Sequence, residues 1–309
     1  MWFKNLCLYR LQEPFHLSAE ELEEALAAHA FQACGKMDMS SQGWVSPLGR
    51  DGEVLVWAAG GCYMVCLQEE SKLLPPAVIR DTLSERVAEV EEKEQRKVRK
   101  REKDNMREEI FHELLPRAFS RSKLTYGYID TQEGWLVIDS ASWKQAETFS
   151  EILREAISTL PITPPATQSA PQSVMTHWLA QDDIPHDIEL GEEAVFEDPQ
   201  TEGCEIRCKR QDLYADEIKG HIKSGKRIRR LAVTWNERLG CVLDADTSLK
   251  RLKFLDIVQE EMGDREMESA AERFDADFSL MSLELKRFLP RLLELYGGEE
   301  KSPNDRLAG

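Results

Sequence analysis

No run of 18 apolar residues occurs in this 309-residue chain, so a membrane-spanning helix is not expected. The opening MWFKNLCLYRLQEPF lacks the basic start and apolar block of a secretion signal. Cysteine is present seven times, an odd number without framework spacing, which suits a reducing compartment better than a disulfide scaffold. A chain this long needs no such staples, since it can bury about three quarters of its unfolded surface. The six histidines are scattered with none at i,i+4, and no G-x-S-x-G elbow exists. These absences predict a soluble, cytoplasmic protein of about two domains' length with no catalytic triad and no histidine metal pair.

Positive charge is also short overall, the net charge being −17, which on average disfavours a polyanion-binding protein. The average conceals a segregation along the chain. Lys93 to Lys103 holds seven basic residues against two acidic, and Arg207 to Arg230 holds nine Lys and Arg against three Asp and Glu. Between these runs, Asp182 to Glu205 carries ten acidic residues and no Lys or Arg. Local field decides where a polyanion can sit, so an acidic exterior with basic stripes would confine anion binding to one place.

Strand runs grouped with helix runs predict an α+β fold with antiparallel sheets. Residues 1–75 read as a strand, a helix capped by Ser18 with Glu21 three residues on, and a meander through Gly43–Val45, Val54–Trp57 and Tyr63–Leu67. Residues 76–123 read as one long basic helix from Pro76 to about Leu115, followed by a basic loop, Pro116 to Lys123. Residues 124–160 supply strands at Leu124–Asp130 and Trp135–Asp139 and a helix from Ser142 to Ile157. Residues 161–173 have linker composition that excludes regular structure. Residues 174–300 read as a second α+β region. It has a short helix to Gln181, a strand at Glu205–Lys209, a helix at Tyr214–Lys223 and a meander over residues 231–254. Helices at Leu255–Met262 and Ala270–Tyr296 follow, Pro290 kinking or breaking the last and Gly297-Gly298 capping it, and residues 301–309 read as a disordered tail.

In the long helix the apolar positions Val78, Leu83, Val87 and Val90 fade, and apart from Val98 they return only at Met106, Ile110, Phe111 and Leu114. Its middle would then stand in solvent. Like charges fall at i,i+4 (Lys93/Lys97, Arg96/Lys100, Lys97/Arg101, Arg99/Lys103), each pair costing about 0.2–0.5 kcal/mol unless a polyanion neutralises it. The plainer reading is a solvated helix relieved by Glu89 and Glu92. Further cations lie at Arg117, Arg121 and Lys123 around Phe119, at Lys209-Arg210-Gln211 ending one strand, at Lys226, Arg227, Arg229 and Arg230 starting another, and at Lys250-Arg251 on a third. No recognition-helix, zinc-finger or RNP spacing accompanies them, so phosphate contact rather than base reading is what they can do.

Other motifs fall short. Gly220 to Lys226 matches G-x-x-x-x-G-K, but Arg227 replaces the Ser/Thr and a helix leads in where a strand should, so Gly225 reads as a helix cap. Cys62/Cys66 and Cys204/Cys208 share a C-x3-C spacing that strands would hold too far apart for chelation, which favours buried free thiols. Asp244/Asp246 reads as turn chemistry, and Asp275/Asp277 as a cap of the last helix, which would then start after Ala270. A metal-dependent nuclease would need further acids converging on these pairs.

WFKNLCLYRL, GWVSPLG, LLPRAFSR, KRQDL and SLKRLKF with RFDADF, taken in order from Trp2 to Gly298, resemble the bacterial recombination-associated RdgC family. The resemblance implies a horseshoe-shaped subunit of several regions that pairs into a ring-shaped homodimer with a basic hole. It implies sequence-independent binding of double-stranded DNA, with single-stranded DNA as a further ligand, no enzyme activity and no cofactor or metal. It also implies restraint of RecA-dependent recombination and a nucleoid-associated location in the cytoplasm. Phe119 in PRAFSR matches the family aromatic implicated in ring closure or DNA engagement, against the alternative of a core aromatic after a proline break. Arg210 and Gln211 match a basic-Gln pair in which the family also uses Lys, the alternative for Gln211 being a polar residue that caps the turn into Leu213. The expected DNA contacts are thus Lys93, Arg96, Lys97, Arg99, Lys100, Arg101 and Lys103, then Arg117, Arg121 and Lys123, and Lys209, Arg210 and Gln211. Lys226, Arg227, Arg229, Arg230, Lys250 and Arg251 complete them. The alternatives are a protein-interaction module acting directly on RecA or another acidic partner, and a metal-dependent nuclease.

Overall fold

The computed structural model describes residues 1–49, 52–260 and 269–300. In chain order the elements are β1 (Leu6–Leu11), α1 (Ala19–Ala27), β2 (Ser40–Val45), β3 (Val56–Ala59), β4 (Cys62–Leu73), α2 (Pro76–Glu94) and α3 (Lys100–Leu114). A 3-10 turn at Leu115–Arg117 leads to β5 (Phe119–Asp130), β6 (Trp135–Asp139), α4 (Trp143–Ile157), β7 (Ile162–Thr163) and α5 (Pro171–Gln181). The second half adds β8 (Ile188–Glu197), β9 (Glu205–Lys209), α6 (Asp216–Lys223), β10 (Arg227–Trp235), β11 (Leu239–Asp244), β12 (Leu249–Phe254), α7 (Asp256–Glu260) and α8 (Ala270–Leu295). The fold is α+β, as expected, and all twelve strands join one sheet in the order β2-β4-β5-β6-β1-β12-β11-β10-β8-β9, with β3 on β4 and β7 on β1.

Every pairing between these strands is antiparallel, and the two halves meet where Leu6 of β1 pairs with Leu249 of β12. On one face a large core runs across both halves, from Leu8, Met64 and Tyr128 to Leu231 and Leu243, and is roofed by α5 to α8. α8 crosses the junction: Phe278 packs on Tyr128 and Phe288 on Trp235, with ring centroids 5.7 and 5.2 Å apart. Lys286 donates to the Gly60 carbonyl and to Gln132 at 2.9 Å each, tying α8 to two turns of the first half. Fully buried Glu284 accepts hydrogen bonds from Nε and Nη2 of Arg238 at 2.9 and 2.8 Å, so that buried charge is paired where α8 meets the start of β11. The opposite face carries a smaller core confined to the first half, where Leu22 and Leu26 of α1 and Phe149 and Leu153 of α4 cover the sheet.

Several expectations hold locally. Ser18 and Glu21 form the reciprocal capping box of α1, Pro76 sits in the first turn of α2, and Gly225 (φ 92°) closes α6. Gly297 and Gly298 both take positive φ after α8. Cys62 and Cys66 are buried and free, and loss of water around them pushes each thiol up to about 12.

Other expectations are overturned. The long helix is two helices: Gln95 adopts the left-handed conformation (φ 51°) and α3 returns along α2, with Arg86 bonded to Glu113 at 2.7 Å. The apolar positions that fade after Val90 and return at Met106 are therefore the two sides of one seam. Val98, only 7% exposed, plugs the turn between them, and its N–H donates to Glu91 at 2.9 Å. Three of the four expected i,i+4 repulsions lose their helical geometry, since Lys97 or Arg96 in each pair lies in the turn rather than on a helix. The basic loop before Leu124 is strand, because β5 pairs with β4 all the way out to Phe119.

The first-half meander is not one either. β2 and β3 lie end to end along the same edge of β4, β3 against Cys62–Val65 and β2 against Cys66–Ser71. The proline-rich linker includes β7, which pairs with Arg10 and Leu11, and it ends inside the first turn of α5. Pro290 does not break α8, which continues to Leu295. Ser269 caps α8 through the Glu272 N–H, while Asp275 accepts from Trp57 and Asp277 pairs with the terminal amine of Met1. The strand β8 occupies the acidic stretch, for which the sequence pattern predicts no element. The expected tail and the end of the Leu255–Met262 helix lie outside the described residues.

Candidate nucleic-acid interface

The expected basic residues fall into three places. The first is the tip of the α2–α3 hairpin. Lys93 lies in the last turn of α2, Arg96, Lys97 and Arg99 form the turn, and Lys100, Arg101 and Lys103 begin α3, all exposed. Arg96 is spoken for: it bonds Glu102 through two nitrogens at 2.8 and 2.9 Å and reaches Glu94 at 2.5 Å. The other six have no ion pair or side-chain hydrogen bond among the described residues. Helix formation explains the concentration, because a turn folds seven cations spread along the sequence onto one end of a two-helix rod. No residue of α2 is buried and only Ile110 of α3 is, so the rod stands away from the core.

The second place is the outer end of the β4–β5 ladder, where the hairpin is rooted. Phe119, Arg121 and Lys123 alternate onto one face of β5. Phe119 is 84% exposed, so the core-aromatic alternative is excluded. Leu73, its register partner on β4, is 49% exposed. Lys123 hydrogen-bonds Gln145 of α4, while Arg117 and Arg121 are unpartnered among the described residues. The 19 residues of α2 span about 28 Å, so this end and the basic tip are separate places despite their closeness in sequence.

The third is the outward face of β8 to β12. Inward residues of these strands share the large core with α5 to α8, and the outward ones belong to neither core. Alternation puts Arg207 and Lys209 of β9 on this open face, and bulges in β10 and β12 bring Arg229 and Arg230 together beside Arg227 and leave Lys250 and Lys253 on the same side. A bulge at Arg251 (φ 51°) adds that residue beside Lys250. Arg207 and Lys253, which fall in the basic runs but not among the expected contacts, join this face through their i,i+2 spacing to Lys209 and Arg251.

The acidic stretch is not segregated from these cations in space. β8 lies between β9 and β10, its Glu193 reaches over the face to Arg251 of β12 at 2.8 Å, and Glu205 of β9 takes Arg207 and Arg229 at 2.8 and 2.9 Å. Arg207, with Arg229 and Arg230 nearby, holds the Glu205 carboxyl below the usual carboxylate range. Arg230 bonds nearly buried Asp244 at 2.5 Å, Lys250 donates to the Ala141 carbonyl at 2.9 Å, and Lys226 bonds Ser224 at 3.3 Å. Arg227, Lys209 and Arg210 remain unpartnered among the described residues. Gln211 does not point free: its N–H donates to the Glu192 carbonyl and its amide to Glu217 at 3.3 Å. The open face is thus a cross-linked, moderately positive lattice, and the hairpin tip is a bare positive one.

Comparison with known proteins matches a family model described as "RdgC: Putative exonuclease, RdgC" over residues 1–299. The recombination-associated protein RdgC of Halorhodospira halophila is 56% identical over 304 residues, covering 98% of this chain and 100% of the relative. That of Aeromonas hydrophila is 43% identical over 302 residues, with 98% and 100% covered. That of Yersinia enterocolitica is 42% identical over 299 residues, with 97% and 99% covered.

Proposed function

The chain belongs to the RdgC family, whose matched relatives are named recombination-associated proteins, and from that premise we propose that it binds double-stranded DNA without sequence preference, as a non-enzymatic ring-shaped dimer that restrains RecA-dependent recombination. The observation that carries the reading is the hairpin tip, with six exposed cations that have no partner among the described residues. Such a group is self-repelling until an anion of high charge density arrives, and releasing that polyanion's counterions supplies the driving force. The open face of β8 to β12 offers a second row of Lys and Arg on a rigid sheet, suited to tracking a phosphate backbone rather than reading bases. Exposed Phe119 and Leu73, both apolar and at the sheet's outer end, supply a surface that a second copy could cover to close a ring.

The word exonuclease in the matched model's description favours a second reading, metal-dependent cleavage. Against it stand the engagements of the paired acids: Asp244 with Arg230, Asp246 with Trp143 and Ser248, Asp275 with Trp57 and Asp277 with the terminal amine. The test is fluorescence anisotropy with two unrelated short duplexes at several salt concentrations, beside incubation of labelled DNA with Mg²⁺ or Mn²⁺. Equal affinities, a steep salt slope and intact DNA are expected. A flat slope overturns the electrostatic mechanism, and shortened strands overturn the non-enzymatic one. No binding at low salt would shift the basic groups to an acidic protein partner, tested next by a pull-down with RecA.

A further inference from the structure

At the end of β9 the chain leaves the sheet through Arg210, whose φ of 52° lies in the left-handed region. The residues on either side of Tyr214 are held firmly. Gln211 bonds the backbone of β8 and the side chain of Glu217, Leu213 is buried in the large core, and Asp212 Oδ1 accepts the Tyr214 N–H at 2.9 Å. Between these anchors Tyr214 itself is 53% exposed. Five and four positions before it, where β9 ends, Lys209 and Arg210 are exposed and unpartnered among the described residues. The nearby acids are occupied, Asp212 by the Tyr214 N–H and Glu217 by Gln211, while Asp216 sits in the first turn of α6, where the helix dipole offsets its charge.

Phosphate binding needs no aromatic, and a tyrosine kept in water forgoes the burial its ring would gain. An exposed ring on an anchored backbone, a few residues from free cations, is the combination that suits unpaired nucleotides. The cations follow the backbone and the ring takes the face of a base, a face that in a duplex is already covered by neighbouring bases. We infer that Tyr214 is a stacking residue for an unpaired base, giving the Lys209–Arg210–Gln211 edge a preference for single-stranded nucleic acid. The inference rests on the nucleic-acid reading above and adds to it the element that distinguishes strand state.

The experiment compares wild type, Tyr214→Ala and Tyr214→Phe on a short labelled oligothymidine and on a duplex of equal length, with quenching of a 2-aminopurine placed in the single strand as a stacking readout. Tyr214→Ala should weaken single-strand binding by about tenfold or more and reduce the quenching. Its duplex affinity and melting temperature should stay at the wild-type level, and Tyr214→Phe should behave as wild type. Equal losses on both probes, or no loss on either, overturn the stacking role while leaving nucleic-acid binding in place. Wild type that binds neither probe overturns the parent reading and this one with it.

Discussion

Leu73 and Phe119 face each other across the last rung of the β4–β5 ladder, at the point where the chain departs into the α2–α3 hairpin and returns from it. Both are apolar, and Phe119 stands almost wholly in solvent, so its ring adds little to the subunit's stability by burial. Replacing Phe119 with Ser should therefore leave the melting midpoint nearly unchanged, as surface substitutions generally shift stability by less than about 0.5 kcal/mol. If this end closes a dimer, sedimentation velocity should show the variant dissociating at concentrations where wild type stays associated. It should also lose more DNA retention than Lys123→Ala, a change at a neighbouring charge. Equal effects of the two substitutions would remove Phe119 from any special role.

Val98 is the only nearly buried residue of the hairpin turn, and its neighbours in the turn are charged. Burying a valine is worth about 1.5–3 kcal/mol, and the rod's other buried residue, Ile110, lies at the far end of α3, so nothing else buried among the described residues holds the tip. Val98→Asp should open the tip without unfolding the sheet. Hydrogen exchange should accelerate over residues 90–106 alone, with the main thermal transition kept. Acceleration throughout the protein would mean that the hairpin is not a separate unit of stability.

Asp187 accepts two hydrogen bonds from Arg291 and one from Trp235, and chiefly through Arg291 its carboxyl is held below the usual carboxylate range. A depressed folded value contributes stability that is present above the unfolded value of about 3.9 and is lost as pH falls through the folded one. Asp187→Asn should therefore melt below wild type at neutral pH, with the gap narrowing as pH drops below about 4. A gap that stays constant down to acid pH would assign the effect to packing rather than to the ion pair.

How far the sequence could be read depended on whether a signal was local. The capping box at Ser18 and Glu21, the glycines after α8 and the alternation of β10 to β12 are properties of a few adjacent residues, and each appears where expected. The hairpin was hidden because its turn, Gln95 to Arg99, contains no Gly, Pro or Asn; only the spacing of Val90, Val98 and Met106 marked it, and a fading stripe looks the same as a solvated one. β8 was hidden for a related reason. Two of its acids pair with Arg across the sheet, Glu193 with Arg251 of β12 and Glu197 with Arg229 of β10, so that part of its acidity, which read as a separate stretch, is sheet chemistry requiring partners far along the chain. For the same reason the sequence identified the cations of the open face but not which of them were already engaged.

Engagement makes the two basic surfaces respond oppositely to mutation. At the hairpin tip Lys97 and Arg101 have no partner among the described residues, so each alanine substitution removes only an attraction for phosphate. Affinity should fall, and the log–log salt slope should drop by about 0.9 for each phosphate no longer neutralised. On the open face Glu205 holds Arg207 and Arg229 and competes with any incoming phosphate for them. Glu205→Gln keeps the side chain's shape and removes the competing charge, leaving Arg207 without an ion pair among the described residues and Arg229 with only the longer contact to Glu197 at 3.9 Å. That variant should bind duplex DNA several-fold more tightly, with a slope steeper than wild type. Titrations of the three variants at matched salt separate the surfaces. Tip substitutions that change nothing would place DNA on the open face alone, and a Glu205→Gln variant that binds no better would remove the open face from the interface.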